Sequence, residues 1–274
     1  MVHAEAAAMI RIVFFDVDGT LMTDKQIPDS ARQAISLLKE HAIIPVLATG
    51  RPEYEMHAVR EQLGIDWAVT CNGAHVGRHG QTVTGTPFAK EQIREWVRLA
   101  QTTPGHTLLL YGGQNIYSTR AIADCPHFTA ADREIGFLEP LPFEQAETLP
   151  EIYQCILFAP QEEEAPYTAH LQEQLYLHRW RTSALDLNPL GVNKATGVQK
   201  LLDHLNIPVE QAAAFGDGNN DLEMIGHVGL GIAMGNSTPE LLAVAKQVTR
   251  HVREDGILHG VQQFILNRSC SLRT

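Results

Sequence analysis

The apolar residues of this chain fall into short continuous runs that stop abruptly at polar residues. Ile10 to Phe15 stops at Asp16, Ile43 to Ala48 at Thr49, and Trp67 to Thr70 near Asn72. Ala212 to Phe215 stops at Gly216 and Asp217, and Val228 to Ala233 near Asn236. Unbroken apolar runs of this length are expected of strands buried on both faces of a parallel sheet. Between them lie helical stripes: Ala31, Ala34, Ile35 and Leu38; Met56, Val59 and Leu63; Val198, Leu201, Leu202 and Leu205. Strand and helix alternate, which predicts right-handed crossovers and an α/β, doubly wound, Rossmann-like parallel sheet. Its ligand crevice lies beyond the carboxyl ends of the strands, where the polar stops converge.

The alternation pauses between about Phe88 and Asp186. A helical stripe (Ile93, Trp96, Val97, Ala100) leads into the strand-like runs Thr107 to Tyr111 and Ile152 to Phe158. A second helix follows near Pro166, Trp180 to Leu187 reads as extended, and Asn188-Pro189-Leu190-Gly191 turns back to the first pattern. The expected organisation is a discontinuous core, residues 9–86 and 188–274, with an inserted α+β domain over 87–187. Thr119 to Pro150 carries no periodicity that assigns it.

Composition narrows the function. With 44% hydrophobic and 19% charged residues among 274, a sizeable core can be buried without metal or disulfide support. The formal charge of -11 and the lack of a basic block disfavour nucleic acid as a partner. The same charge repels an anionic substrate at long range, so a phosphate ligand needs a local cation, a metal or helix N-termini. Cys71, Cys125, Cys155 and Cys270 form no CxxC pair, which fits reduced thiols in a cytoplasmic protein. No run reaches membrane-spanning length, so no membrane partner is expected, and Met1 to Ala8 reads as a tail rather than a signal peptide.

Asp16 and Asp18, two apart at a strand end, project to the same side if the backbone stays extended. One carboxylate can then act as nucleophile while the other exchanges a proton with the leaving group, and Gly19-Thr20 lets the chain turn. The plainer reading is a strand-end turn with a capping Asp. Plainer readings also exist for Thr49 (a cap for a helix starting at Pro52), Lys194 (a solvated first-turn lysine) and Asn220 or Asp221 (helix caps). Four such coincidences at successive strand ends are harder to sustain than any one alone. Gly229, Gly231 and Gly235 miss a dinucleotide fingerprint and read as tight packing. His75 and His79, followed by Gly80, read as a hairpin rather than a shared metal face.

Phe15-Asp16-Val17-Asp18-Gly19-Thr20-Leu21 resembles the first motif of the haloacid dehalogenase (HAD) superfamily. Ala48-Thr49-Gly50-Arg51 resembles its second motif, Lys194 its third, and Gly216-Asp217-Gly218-Asn219-Asn220-Asp221 its fourth. The resemblance covers roughly residues 10 to 265. The insertion between the second and third motifs is similar to the C2-type (C2B) cap of the Cof-like sugar-phosphatase branch, as is Cys71-Asn72-Gly73-Ala74. Ala195 departs from that branch, which more often has Gly after the lysine.

The resemblance implies that Asp16 attacks phosphorus and ligates Mg2+. It implies that Asp18 is general acid and then base, lending its carbonyl to the metal, that Asp217 is the other carboxylate ligand, and that Asp221 acts through a metal-bound water. Oxygen-only ligands suit Mg2+. A phosphate placed about 4 Å from a carboxylate is opposed by roughly 4 kcal/mol per unit-charge pair at an effective dielectric of 20, so Mg2+ and Lys194 are needed to reverse the sign. Thr49, Gly50, Arg51, Asn72 and Asn220 are the remaining candidates for binding phosphate or substrate. The expected activity is Mg2+-dependent hydrolysis of a small phosphorylated metabolite. Sugar phosphates come first, with nucleotide, flavin and pyridoxal phosphates open, and the protein acts as a monomer or weak homodimer. The alternatives are a phosphomutase or phosphotransferase using the same aspartyl-phosphate, and a non-catalytic HAD-fold binding protein.

Overall fold

The computed structural model describes residues 9–121, 124–127, 141–142, 150–169 and 175–267. The first half of the core runs β1 (Ile12–Phe15), α1 (Asp29–Glu40), β2 (Ile44–Ala48), α2 (Glu53–Leu63), β3 (Trp67–Thr70), β4 (His75–Arg78) and β5 (Gln81–Gly85). Each apolar run of this half became a strand, and each apolar stripe became the buried face of the helix after it. Side chains of β1 alternate between two cores: Val13 and Phe15 pack with Ala31, Ile35 and Leu38 of α1, whereas Ile12 and Phe14 pack with Val198 and Leu201 on the other face. That two-sided burial is why the run carries no polar alternation.

The inserted segment contains α3 (Lys90–Thr102), β6 (Thr107–Gly112), β7 (Ile116–Ser118), β8 (Leu141–Pro142), β9 (Ile152–Phe158), α4 (Ala165–Thr168), β10 (Leu175–Arg181) and β11 (Ala184–Pro189). The chain then returns through α5 (Lys194–Leu205), β12 (Ala212–Gly216), α6 (Leu222–His227), β13 (Leu230–Ala233), α7 (Pro239–Val244), β14 (Gln247–Val248) and α8 (Gly256–Gly260).

Two sheets result. The first has the order β14-β13-β12-β1-β2-β3-β4-β5 and is parallel from β14 to β3, with an antiparallel hairpin at its β4–β5 edge. His79 and Gly80 make that hairpin's turn with φ of 49° and 79°, so His75 and His79 share no helix face. The second sheet, β10-β11-β9-β6-β7-β8, lies within the insertion. Its β11 reaches Pro189, two residues past the boundary expected at 187. The stretch Trp180 to Leu187 is not one extended run: it breaks at Thr182–Ser183 into a β10–β11 hairpin. The helix expected near Pro166 is the short α4. Most of Thr119 to Pro150, with Met1 to Ala8 and Cys270, lies outside the described residues.

Candidate active site

β1, β2, β3 and β12 end side by side, so the loops that follow them meet at one edge of the parallel sheet. The amide of Asp16 donates to Phe215 O (3.0 Å), tying the first loop to the end of β12. The rings of Phe15 and Phe215, one residue back, stack at 5.2 Å and 7°. Asp16 is thereby fixed by backbone pairing and by the core beneath it.

Lys194 is the first residue of α5, and its side chain is fully buried. Its Nζ donates to Asp16 Oδ1 at 2.5 Å and to Asp221 Oδ1 at 2.6 Å. It is not a solvated first-turn lysine. The helix start is set by Asn193, whose side chain accepts from Thr196 N (3.0 Å) while Thr196 Oγ1 accepts from Asn193 N (3.1 Å), a reciprocal cap. Gly73, at φ 94°, lets this start approach closely: a Cβ there would lie 1.9 Å from Asn193 O.

Asp221 does not cap α6 with its side chain. Its second oxygen accepts from the amides of Asp217 and Gly218, both at 3.0 Å, which closes the loop after β12 around a carboxylate with no exposure. Asp217 is half-buried. Its Oδ1 accepts from the Thr20 hydroxyl at 2.7 Å, and Asn236 Nδ2 bridges Gly19 O (2.9 Å) and Asp217 Oδ2 (3.4 Å). Oxygens of Asp16, Asp217 and Asp221 all lie within 4.8 Å of one another.

Thr49 is buried and accepts from Arg51 N at 3.1 Å rather than capping α2. Gly50 packs on Asn72, since a Cβ there would meet Asn72 Oδ1 at 3.0 Å. Asn72 N donates to Thr49 O (3.1 Å), and Asn72 Oδ1 accepts from Asn220 Nδ2 (3.2 Å), so Thr49, Gly50, Asn72 and Asn220 form one continuous rim. Arg51 grips Asp18 with both ends of its guanidinium, 2.7 Å each, and reaches Glu55 at 3.6 Å. Asp18 is exposed, unlike Asp16. The sequence reading missed Thr20 and Asn236. Both were detectable as polar residues in the loops that follow strand ends, yet neither residue type alone distinguishes a ligand holder from a turn.

The charges explain what the cluster lacks. Burial, reinforced by Asp221 and Asp217, lifts the Asp16 carboxyl to about 8 against the pull of Lys194. Burial also raises Asp217, partly offset by the hydroxyl of Thr20. Burial pulls Lys194 down, but Asp16 and Asp221 outweigh it and hold the ammonium above its ordinary value. Three carboxylates against one ammonium retain a proton near neutral pH, which is the signature of a site short of positive charge. An all-oxygen donor set of this kind fits Mg2+.

A parallel sheet whose strand ends collect acids around one buried lysine defines an α/β enzyme of the doubly wound class. The chain belongs to the haloacid dehalogenase-like hydrolase family, whose profile matches residues 13–261. It is 34% identical over 259 residues to "Putative phosphatase YkrA" of Bacillus subtilis (strain 168), covering 93% of this chain and 97% of that one. A solved structure of a hypothetical protein from Geobacillus kaustophilus HTA426 superposes with a TM-score of 0.83 at 36% identity, covering 93% and 98% of the two chains. The HAD subclass IIB sugar phosphatase BT4131 does so at 0.73 and 25% identity, covering 93% and 98%. Among the described residues, no helix is long and apolar enough to cross a membrane.

Proposed function

We propose that this protein is a Mg2+-dependent phosphatase of small phosphomonoesters, sugar phosphates first, acting through an aspartyl-phosphate on Asp16. The reading is carried by one observation: Lys194 bridges Asp16 and Asp221 inside a cluster whose three carboxylates converge within 4.8 Å. Its membership of a hydrolase family and its likeness to phosphatases support the same reading.

In this mechanism Asp16, Asp217 and the carbonyl of Asp18 would hold Mg2+, with Asp221 supporting the site. The bound ion supplies charge neutralisation between the carboxylates and the incoming phosphate. An oxygen of Asp16 attacks phosphorus as the bond to the leaving oxygen breaks, and Asp18 gives that oxygen its proton. Asp18 then takes a proton from water, the water oxygen attacks phosphorus, and the bond to Asp16 breaks to release inorganic phosphate. Lys194 keeps Asp16 oriented, and the hydroxyl of Thr49, the amide of Gly50 and Asn220 receive the phosphoryl oxygens.

Residues 9–86 and 188–274 act as the catalytic core, with 87–187 as a cap that excludes water over the leaving group. The protein works in the cytoplasm as a monomer or weak homodimer. Purified protein with Mg2+ and a panel of sugar monophosphates tests the reading. Free phosphate is expected. Conversion to an isomeric sugar phosphate without phosphate release would make it a phosphomutase instead.

A further inference from the structure

The loop between β13 and α7 holds Asp217 from behind. Met234 N and the Ser237 hydroxyl donate to Gly216 O at 3.0 and 3.2 Å, and Thr238 N donates to Asp217 O at 3.0 Å. The loop is itself pinned to the segment after β14. Gly235 N donates to Arg250 O at 3.0 Å, and a Cβ on Gly235 would lie 2.6 Å from His251 N. Asn236 sits at the centre of this loop, half-buried, 19 positions past Asp217. Its Oδ1 accepts from Val252 N at 2.9 Å. A backbone N–H can only donate and a carbonyl can only accept, so these partners fix which way the amide points and send Nδ2 toward Gly19 O and Asp217 Oδ2.

That nitrogen carries two hydrogens and meets two acceptors, Gly19 O at 2.9 Å and Asp217 Oδ2 at 3.4 Å. Gly19 is held on its other side as well. Its N–H donates to Met22 O at 2.8 Å, which fixes the plane of the peptide that carries Asp18 O. Both peptides that flank Gly19 are therefore pinned, one by the main chain and one by Asn236. Gly19, at φ 84°, lies directly against the carboxylate, since a Cβ there would be 2.2 Å from Asp217 Oδ2. The other oxygen, Oδ1, accepts from the fully buried Thr20 at 2.7 Å. Asp217 and the Asp18 carbonyl, two of the groups assigned to the cation, are thus aligned through one neutral side chain.

Resting on the Mg2+ site of the reading above, we infer that Asn236 is a positioning residue that sets the affinity for the cation. It does so by donating hydrogen bonds to Gly19 O and Asp217 Oδ2, not by lending charge. Mg2+ demands oxygens in near-octahedral array, so the placement of its ligands counts as much as their number. Replacing Asn236 by Asp separates the two effects. The side chains have the same shape, and an aspartate keeps an oxygen for Val252 N, but it offers no hydrogen to Gly19 O and sets a new carboxylate against Asp217. Were charge decisive, the added anion would tighten Mg2+ binding. Because alignment decides, the same change loosens it.

The test titrates Mg2+ into the purified full chain by calorimetry and follows the Mg2+-induced rise in melting temperature in parallel. Expected is a Kd raised about 10- to 100-fold in both Asn236→Asp and Asn236→Ala. Asn236→Ala carries the test alone if the aspartate variant does not fold. A Kd within about threefold of wild type in either folded variant reduces Asn236 to a prop for Val252 and overturns the inference. Tighter binding by Asn236→Asp overturns it too. A wild type that binds no Mg2+ overturns the metal site beneath the inference as well.

Discussion

Lys194 places its ammonium 2.5 Å from a carboxylate oxygen of Asp16, a residue 178 positions earlier in the chain, with the lysine wholly buried. Removing one partner from a buried pair leaves the other charge without compensation. Lys194→Met is therefore expected to destabilise the fold by about 3–5 kcal/mol in denaturant unfolding and to lower kcat by at least about a hundredfold. A variant with ordinary stability would show that Asp16 and Asp221 do not depend on this ammonium.

Asp16→Asn separates chemistry from folding. It removes one negative charge from a crowded acidic cluster, so melting at or above the wild-type temperature is expected, while kcat falls by more than about a thousandfold. Full hydrolytic activity in this variant would end the covalent mechanism.

A site that keeps a proton on Asp16 at about 8 should be stabilised by a divalent cation. Mg2+ is expected to raise the melting temperature with the logarithm of its concentration, the added stability reaching about 2.7 kcal/mol at a hundred times its Kd. Asp217→Ala should abolish that response, and chelation should abolish turnover. A melting temperature insensitive to Mg2+ would contradict the site.

His75 predicts a pH dependence of its own. It is buried between Thr70 and Thr82, which hydrogen-bond its two ring nitrogens at 2.8 and 3.0 Å, and burial lowers its pKa from 6.5 to about 4. Below 6.5 the unfolded chain takes a proton that the folded protein refuses until about 4. Stability is thus lost as pH falls through this window, by up to roughly 3 kcal/mol. Glu53 acts oppositely: burial raises it to about 7 despite Arg60 at 2.9 Å, so its ionisation costs stability as pH rises from 4.5. Comparing wild type with His75→Gln isolates the first effect, and the variant should gain relative to wild type on acidification.

Gly73→Ala tests the close approach to α5. With φ at 94° and backbone 1.9 Å from the new methyl, the loop or the helix start must shift. A loss of more than about 2 kcal/mol is expected, with a fall in activity because Lys194 moves with Asn193.

The parallel sheet was legible because each central strand is buried on both faces, which leaves an unbroken apolar run such as Ile12–Phe15 or Ala212–Phe215. The insertion was less so. The turn at Thr182–Ser183 contains neither Gly nor Pro, so β10 and β11 ran together in the reading. The acidic Gln161 to Glu164 stretch engages His106 and Arg179 through Glu163 and Glu164, contacts between segments that no local pattern announces. The hold of Asn236 on Gly19 and Asp217 was invisible because its partners lie 217 and 19 positions back in the chain, and only the fold brings them together. The motif loops stood out for the opposite reason, since each holds its polar residues consecutively.

Asn193 ends the return passage from the insertion and also caps the helix that begins with Lys194. Upstream of it Gly191 sits at φ 72° with nothing within 4 Å of where its Cβ would be, whereas Asn193 is clasped by Gly73. Lys194 is thus anchored by the cap at Asn193 and the close approach of Gly73. On the proposed reading of residues 87–187 as a cap, a chain wired in this way can trade that segment for another and inherit the chemistry untouched, as a tool keeps its handle when the bit is exchanged.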